Sequence, residues 1–538
     1  MKKLVSRFMA VLMAMTMILS MSMTAFAAEA SKGTLTVNNT VAGKTLDLYQ
    51  IFTATKNGDN VAYTLNDAYE GFFQSKISGA STLTGEALSE KAYEYVKTQV
   101  GEDGKNGVNF AKEMLTWILS HTSAVDATHK TVTTATGSTE IANLAYGYYV
   151  VYPLGATDTS AAPGNGQNYT SVASLVSVTD TNATVNMKSN YPTVVKKVND
   201  KTADDVNIGD TVTYTLTSKV PDMTGYTSYV FNFKDTLSAG LTFKEITSVT
   251  VGAGENVQNV TEGTGDNTYR LAQTGQNITI TMNNFLASNA NKVGQEIKVT
   301  YTVTLNKDAV TGFDANKNSA TVEYSNKPGT DNKGESEPSI VDVHTFNFTI
   351  FKYYLKGADK TGLANAEFEL YKANEAGDAA DENAKINIVD EGKGVYRQAT
   401  ADEAKVTGFT SAKIVSDDDG KVLVKGLDAG SYYLRETKAP EGYNKLLSDI
   451  KIEIKPVYDE TTGKLTSYSV DYTYNGTKTT GTAITSKDNS PEVAVENKTG
   501  AQLPSTGSKG ALMVTLAGIV LFGALTASKA FGKKKANN

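Results

Sequence analysis

Six polar residues stand at positions where strand alternation points a side chain inward, because residues of equal parity share one face of a strand. They form two sets, each with one lysine, one acid and one asparagine: Lys196, Asp235 and Asn318, followed by Lys352, Glu436 and Asn497. Apolar residues share the parity of each, as Val194 and Val198 do beside Lys196. The pattern predicts that each set is buried together in the core of one β-domain.

For any single position a simpler interpretation stays open. Inward parity fails near strand ends, where a lysine stem lies along the surface and its ammonium reaches water, and where Asn or Asp caps a turn. The repetition of the same three residue types in two consecutive stretches of the chain favours burial.

Burial of such a set has a chemical consequence. An apolar surrounding disfavours both the ammonium and the carboxylate, and drives each toward its neutral form. A neutral amine is a nucleophile, and a protonated carboxyl can polarise an amide carbonyl by donating a hydrogen bond. Attack of the amine on the amide carbon, with loss of ammonia, gives a Lys–Asn isopeptide bond. Well-oriented groups reach effective molarities on the order of 10⁵ to 10⁸ M, so the reaction requires no external catalyst.

The elements that must position these sets fall into three domains along the 538 residues. The first, 28–189, mixes strands near 34–37 and 148–152 with two helices whose apolar stripes we interpret as core. The stripes are Leu88, Ala92, Tyr95 and Val96, and Phe110, Met114, Trp117 and Ile118, at helical spacing.

The two stretches that carry the six residues, 190–343 and 344–499, consist of short alternating strands punctuated by Gly and Asn. The runs 211–216 and 297–303 are examples. This pattern is typical of antiparallel sandwiches. We therefore expect a mainly β protein, with tandem immunoglobulin-like sandwiches after an α+β N-terminal domain and a more polar insertion near 373–420.

The two ends of the chain carry motifs that predict where the protein is sent. Residues 1–27 read as a secretory signal peptide, with basic residues, an apolar run and a small-x-small cleavage site. Within 500–538 an apolar stretch, 511–531, is followed by three lysines and predicts a membrane-spanning tail. Before it stands the pentapeptide Leu503, Pro504, Ser505, Thr506 and Gly507.

Composition excludes several classes of function. The chain has no cysteine, so disulfides are excluded, and an exported protein of this size needs another source of durability. Its three histidines lie far apart in sequence, which argues against a metal centre or a His-based triad. A net charge of -7 gives no reason to expect a nucleic acid partner. We expect no cofactor and no metal, and no enzyme acting on outside substrates.

Longer motifs resemble a known family. Residues 432–443, YYLRETKAPEGY, resemble the E-box of pilins and of collagen-adhesin B-type (CnaB) domains. Residues 192–198, 235–241 and 318–324 resemble the isopeptide-forming middle domain of fimbrial backbone subunits. The whole chain resembles a major shaft pilin of sortase-assembled Gram-positive pili. The resemblance implies CnaA- and CnaB-type sandwiches, with Asp235 and Glu436 as the acids that promote the two bonds.

The resemblance also implies how subunits are joined. A pilin-class sortase cleaves after Thr506 and passes its carbonyl to a lysine of the next subunit, and a housekeeping sortase attaches the polymer to peptidoglycan. The family's Tyr-Pro-Lys motif is absent here. Lys188 is the first candidate for the linking lysine, because Val185 and Met187 take the inward parity, and Lys197 is its rival.

In the first domain, strand 147–153 resembles an E-box strand but has Tyr152 and Pro153 where an acid is needed. We therefore expect no internal crosslink there. The expected protein is a wall-anchored shaft subunit, with copies of itself and minor pilins as partners and host or glycan ligands as a further class. A minor pilin or a monomeric wall-anchored adhesin is the alternative, since it shares every feature except the linking lysine.

Overall fold

The computed structural model describes residues 31–101, 107–156, 173–187 and 191–500. The signal peptide, Lys188, the pentapeptide 503–507 and the apolar stretch 511–531 lie outside these residues. Within the described part no helix is long and apolar enough to cross a membrane.

The first domain combines two sheets with a helical layer. Its strands are β1 (Lys32–Thr40), β2 (Thr45–Asn57), β3 (Asn60–Leu65), β4 (His129–Thr133), β5 (Gly137–Ala145), β6 (Gly147–Pro153), β7 (Ser174–Val178) and β8 (Ala183–Asn186), and its helices are α1 (Glu70–Lys76), α2 (Gly85–Val100), α3 (Gly107–Ser120) and α4 (Thr122–Val125). The order β5-β1-β8 forms one sheet, and β3-β2-β6-β7 with β4 on β2 forms the other.

The larger sheet of this domain is buried on both faces. Along β6, Val150 and Tyr152 pack with the helices, while Tyr149 and Val151 pack against the smaller sheet. The predicted helices are confirmed, because most of their stripe residues are buried on α2 and α3.

The middle domain is a two-sheet sandwich. Its elements are β9 (Val195–Val198), β10 (Ala203–Asp205), β11 (Thr211–Lys219), β12 (Phe231–Leu237), β13 (Leu241–Val251), β14 (Gln258–Asn259), β15 (Thr261–Glu262), β16 (Thr268–Thr274), β17 (Asn277–Met282), α5 (Phe285–Asn289), β18 (Glu296–Leu305), β19 (Asn316–Ser325), β20 (Lys333–Glu335) and β21 (Ser339–His344). One sheet has the order β14-β13-β18-β11-β9, and the facing sheet has the order β10-β21-β19-β12-β17-β16-β15 with β20 on β19.

The third domain is a second sandwich. Its elements are β22 (Phe346–Lys356), β23 (Asp359–Gly362), β24 (Glu367–Ala373), β25 (Ala380–Lys385), β26 (Ile388–Gly392), β27 (Val395–Gln398), α6 (Ala401–Ala404), β28 (Ile414–Val415), β29 (Lys421–Leu427), β30 (Gly430–Lys438), β31 (Ile450–Tyr458), β32 (Leu465–Tyr474), β33 (Thr477–Thr479) and β34 (Glu492–Glu496). One sheet is β23-β22-β29-β27-β26 with β34 on β22, and the other is β25-β24-β30-β31-β32-β33 with β28 on β24.

Each sandwich encloses a single core of aliphatic and aromatic side chains between its two sheets. The inward residues alternate with outward ones along the strands, as in β18, where every second residue is buried. The mainly β architecture expected from the sequence is therefore confirmed.

Hydrogen bonds join the middle and third domains at a short connection. The amide N–H of Ile208 donates to the carbonyl of Gly426 (3.0 Å), and that of Asp428 donates to Asn207 Oδ1 (3.0 Å). The hydroxyl of Tyr458 donates to Asp205 Oδ2 (2.5 Å). These contacts tie the start of the middle domain to two strands of the third.

Candidate functional site

The first predicted set spans the interior of the middle domain. Lys196 lies on β9, in one sheet, while Asp235 on β12 and Asn318 on β19 lie in the facing sheet. Strands β12 and β19 are neighbours, with Asp235 opposite Ala320 and Leu237 opposite Asn318, so the acid and the amide point inward close together. The inward parity predicted for all three is confirmed, since none is more than 2% exposed.

A tyrosine from the sheet that carries β9 joins these three side chains. Lys196 Nζ donates to Asp235 Oδ2 and to the hydroxyl of Tyr301 (2.5 Å). Tyr301 in turn donates to Asp235 Oδ2 (2.7 Å), and Asn318 Nδ2 donates to the Tyr301 oxygen (3.0 Å). The reacting amine and amide nitrogens therefore share one hydroxyl oxygen.

The surroundings favour the neutral amine. Burial lowers the pKa of Lys196 to about 8, against the opposing effect of Asp235. The aromatic rings of Tyr214 and Tyr301 lie 4.8 Å and 5.1 Å from Nζ, where they attract an ammonium and oppose part of this shift. Near neutral pH a useful fraction of this lysine is therefore a nucleophile.

The second predicted set lies between the first and last strands of the third domain. Lys352 is on β22, which pairs in parallel with β34 in a register that places Lys352 opposite Val495. Asn497 follows β34 directly, and its N–H donates to the carbonyl of Tyr353 (2.9 Å). Glu436 reaches the pair from β30 in the facing sheet. Lys352 is 0% and Asn497 1% exposed.

The acid in this set contacts both reaction partners. Lys352 Nζ lies 3.0 Å from Glu436 Oε1, and Asn497 Nδ2 donates to Glu436 Oε2 (3.2 Å) and to the carbonyl of Asn444 (2.6 Å). The N–H of Leu446 also donates to Glu436 Oε2 (2.7 Å). Burial lowers the pKa of Lys352 to about 8, opposed by the nearby Glu436 carboxylate.

In each set, one carboxyl oxygen of the acid and the side-chain oxygen of the asparagine accept no hydrogen bond from the described residues. In the middle domain these are Asp235 Oδ1 and Asn318 Oδ1, and in the third domain Glu436 Oε1 and Asn497 Oδ1. Unsatisfied buried acceptors are costly. A proton on the acid, donated to the amide oxygen, would satisfy both atoms and polarise the carbonyl at which the lysine must attack.

The first domain has a different buried acid. Tyr152 and Pro153 occupy the strand position where the sequence lacks an acid, and both are buried. Opposite Tyr152 lies Asp47 on β2, 0% exposed. Asp47 Oδ1 accepts from Thr131 (2.8 Å) and lies 2.8 Å from His129 Nε2.

Asp47 also lies at the boundary with the middle domain. Lys327 Nζ is 3.7 Å from Asp47 Oδ2, and nearby Lys44 Nζ donates to the carbonyl of Glu335 (2.9 Å). Asp47 therefore has partners both within the first domain and in the middle domain. We assign it a role in docking the two domains, and the absence of a crosslink in the first domain stays a prediction.

Of the two candidate linking lysines, only Lys197 lies in the described residues. It is exposed on β9, on the face opposite Lys196, and its Nζ donates to the carbonyl of Asp200 (3.3 Å). Lys188 and the sorting pentapeptide lie outside the described part. Among the residues that the structure does describe, no group of three His, Asp or Glu side chains could hold a metal ion.

The sequence reasoning missed two groups that matter at these sites. Tyr301 stands on the inward parity of the run 297–303 and could have been noticed as the one hydroxyl-bearing residue of that parity. The carbonyl of Asn444, which accepts from Asn497, belongs to a loop and gives no sequence signal.

Segments of two of the domains match known family models. Residues 208–328 match the Cna-B-like domain of Gram-positive pilin backbone subunit 2, and residues 353–469 match a prealbumin-like fold domain. The middle domain is thus similar to a Gram-positive pilin backbone domain, and the third domain is similar to a prealbumin-like domain.

Individual relatives match over longer stretches. The chain is 28% identical over 333 residues to the trypsin-resistant surface T6 protein of Streptococcus pyogenes, covering 57% of this chain and 52% of that one. It is 29% identical over 267 residues to fimbrial subunit type 2 of Actinomyces naeslundii, covering 46% and 48%. The chain spans about half the length of these relatives. The solved T6 backbone pilin of Streptococcus pyogenes superposes with a TM-score of 0.47 at 18% identity, covering 88% of this chain and all of that one.

Proposed function

We propose that this chain is the shaft subunit of a covalently linked, wall-anchored pilus of a Gram-positive bacterium, hardened by two internal Lys–Asn isopeptide bonds. The observation that carries the proposal is the repetition of one chemical set. Two consecutive domains, one of them similar to a pilin backbone domain, each bury a lysine, an acid and an asparagine, with the lysine in contact with the acid. An enzyme for outside substrates has no use for groups sealed from solvent.

The chemistry proposed is a single turnover within each domain. The neutral amine of Lys196 or Lys352 attacks the side-chain carbon of Asn318 or Asn497. Asp235 or Glu436 donates a proton to the carbonyl oxygen and takes it back as the tetrahedral intermediate collapses. The attacking nitrogen loses one of its two protons, the Asn Nδ2 gains one as its bond to carbon breaks, and ammonia leaves with the acid restored.

The subunits are joined by a different bond. In this proposal a pilin-class sortase cleaves after Thr506 and transfers its carbonyl to Lys188, with Lys197 as the rival acceptor, and a housekeeping sortase attaches the polymer to peptidoglycan. The exposure of Lys197 leaves its amine accessible to an enzyme. Minor pilins, and host or glycan ligands, complete the proposed partners.

Intact mass tests the internal chemistry. Each bond releases one ammonia, so the purified ectodomain should weigh about 34 Da less than its sequence, two losses of about 17 Da. Asp235→Ala and Glu436→Ala should each restore one loss, while Asp308→Ala, at an exposed acid of the middle domain, should restore none. A wild-type mass equal to that of the sequence would refute the site assignment.

Wall extracts test the assembly. On a denaturing gel the wild-type strain should give a ladder of high-mass bands, and Lys188→Arg should collapse it to one band while Lys197→Arg leaves it intact. The reverse pattern would make Lys197 the acceptor. A single band from the wild type would overturn the shaft in favour of a monomeric adhesin.

A further inference from the structure

The hydroxyl of Tyr301 contacts three groups of the reaction at once. It accepts hydrogen bonds from the attacking nitrogen, Lys196 Nζ, and from the departing nitrogen, Asn318 Nδ2, and it donates to Asp235 Oδ2. A hydroxyl has one proton to give and two lone pairs to accept with. The three partners therefore use its full hydrogen-bonding capacity.

Tyr301 is held in place from both sides. It lies on β18, a central strand of its sheet, paired with Tyr214 on β11 and with Ile246 on β13. Its ring stacks on that of Tyr214 (5.4 Å between centroids, 20° between planes) and is 1% exposed. A side chain this constrained keeps its hydroxyl between the two nitrogens without reorganisation.

We propose that Tyr301 is a catalytic residue of the middle domain, relaying the proton that must pass from Lys196 Nζ to Asn318 Nδ2 during isopeptide formation. The inference rests on the proposed function, since it assigns a role within that reaction. It concerns this domain alone, because in the third domain the Asn497 amide donates to a backbone carbonyl and to Glu436 instead.

The relay balances as follows. As the bond from Nζ to the amide carbon forms, Nζ loses a proton to the Tyr301 oxygen, and Tyr301 passes its own proton to Asp235 Oδ2. Asp235 delivers the proton of its other oxygen to the amide oxygen. When the bond to Nδ2 breaks, the carbonyl oxygen returns its proton to Asp235, and Asp235 Oδ2 returns a proton to Tyr301. Tyr301 then gives a proton to Nδ2. Ammonia leaves, while Tyr301 and Asp235 return to their starting states.

The properties of the phenol suit this role. Burial and the neighbouring Asp235 raise the pKa of Tyr301 well above its ordinary value. The hydroxyl therefore stays protonated and acts by handing on protons in both directions, and not as a permanent base. A proton path through one fixed hydroxyl also avoids the need for water in the dry core.

The test uses the two sites of one chain as mutual controls. The full ectodomain is synthesised as wild type, Tyr301→Phe and Tyr269→Phe and sampled over time. It is then digested, and the two crosslinked peptides are measured by mass spectrometry. We expect Tyr301→Phe to slow the Lys196–Asn318 bond by about a hundredfold, with the Lys352–Asn497 bond forming at the wild-type rate. Tyr269→Phe, at a buried tyrosine of the same core on β16, two strands beyond β12, should form both bonds normally.

The outcomes separate the two proposals. If the wild type forms no Lys196–Asn318 bond, the proposed function fails; if it does and Tyr301→Phe is equally fast, only the relay is wrong. Should Tyr301→Phe fold poorly, a fluorinated tyrosine at 301 keeps the shape and makes the hydroxyl more acidic. The rate of the Lys196–Asn318 bond should then change alone, and an unchanged rate would overturn the relay.

Discussion

Replacing Lys352 by methionine isolates what the bond in the third domain contributes. Methionine fills the apolar space left by the lysine stem and buries no charge. Glu436 keeps the N–H of Leu446 and the amide of Asn497 as donors, so the variant does not strand an unpaired carboxylate. The main loss is then the covalent link between β22 and the residue that follows β34.

The size of the loss follows from the loop that the bond closes. Lys352 and Asn497 lie about 145 positions apart. By the loop-entropy relation used for disulfides, a crosslink over such a length restricts the unfolded chain by about 5 kcal/mol. For a domain of this size the midpoint of thermal unfolding should fall by roughly 10–20 °C.

Calorimetry of the ectodomain measures this directly. The transition of the third domain should move down in Lys352→Met while that of the middle domain stays in place. Lys356→Met, at an exposed lysine near the end of the same strand, is the matched control and should leave both transitions unchanged. If Lys352→Met and the wild type showed the same number of ammonia losses from their own sequence masses and the same melting temperature, the bond would not exist and the reasoning from burial to chemistry would be wrong.

Two further predictions concern pH and domain docking. In Asn497→Ala, which cannot form the bond, Lys352 keeps a pKa of about 8 when folded against about 10.5 when unfolded. Because the unfolded chain binds more protons between these two pH values, the free energy of unfolding should rise by on the order of 3 kcal/mol from pH 8 to 10.5. Denaturant titrations measure this rise, and a flat profile would contradict the burial of Lys352. Lys327→Ala removes the cation beside Asp47 and should weaken docking of the first domain by about 1 kcal/mol. The expected signs are faster amide exchange in β2 and β4, with both mass losses intact. The control Lys333→Ala, at an exposed lysine, should have no effect.

The burial of the six residues is predicted from the family resemblance together with strand alternation, which depends only on the local geometry of a strand. Lys196 and Lys352 interrupt apolar runs at the inward parity, and no tertiary information is needed to see this. Which other side chains meet them depends on the facing sheet. Tyr301 reaches Asp235 across the sandwich, a distance set by the twist and stacking of two sheets, which the sequence does not encode locally.

Asp47 escaped prediction for a different reason. Leu46, Asp47 and Leu48 alternate apolar and polar, so the sequence pattern assigns Asp47 to the outward face, whereas β2 is buried on both faces at this point. The partners of Asp47 come from β4, far along the chain, and from Lys327 of the middle domain. Such a site becomes visible only once domains are placed side by side.

Under the proposed assembly, the two bonds and the linking lysine give a reason why the first domain is expected to need no crosslink. Under the proposed assembly, tension from the neighbouring subunit enters at Lys188 or Lys197, both within eight positions of Lys196. It then crosses to the facing sheet through Asn318, bypassing the strands enclosed between them.

Beyond Asn318 the tension follows β19 to β21 and enters the third domain at β22, where the second bond passes it straight to the end of β34. The first domain lies outside this path and carries none of the tension. Hydrogen bonds and the contact of Asp47 with Lys327 therefore suffice to hold it. The hairpin from β19 to β21 is on the path without a covalent bypass. Its antiparallel ladder, continuous from Asn316 to Ala320, is therefore the element on which the strength of the middle domain depends.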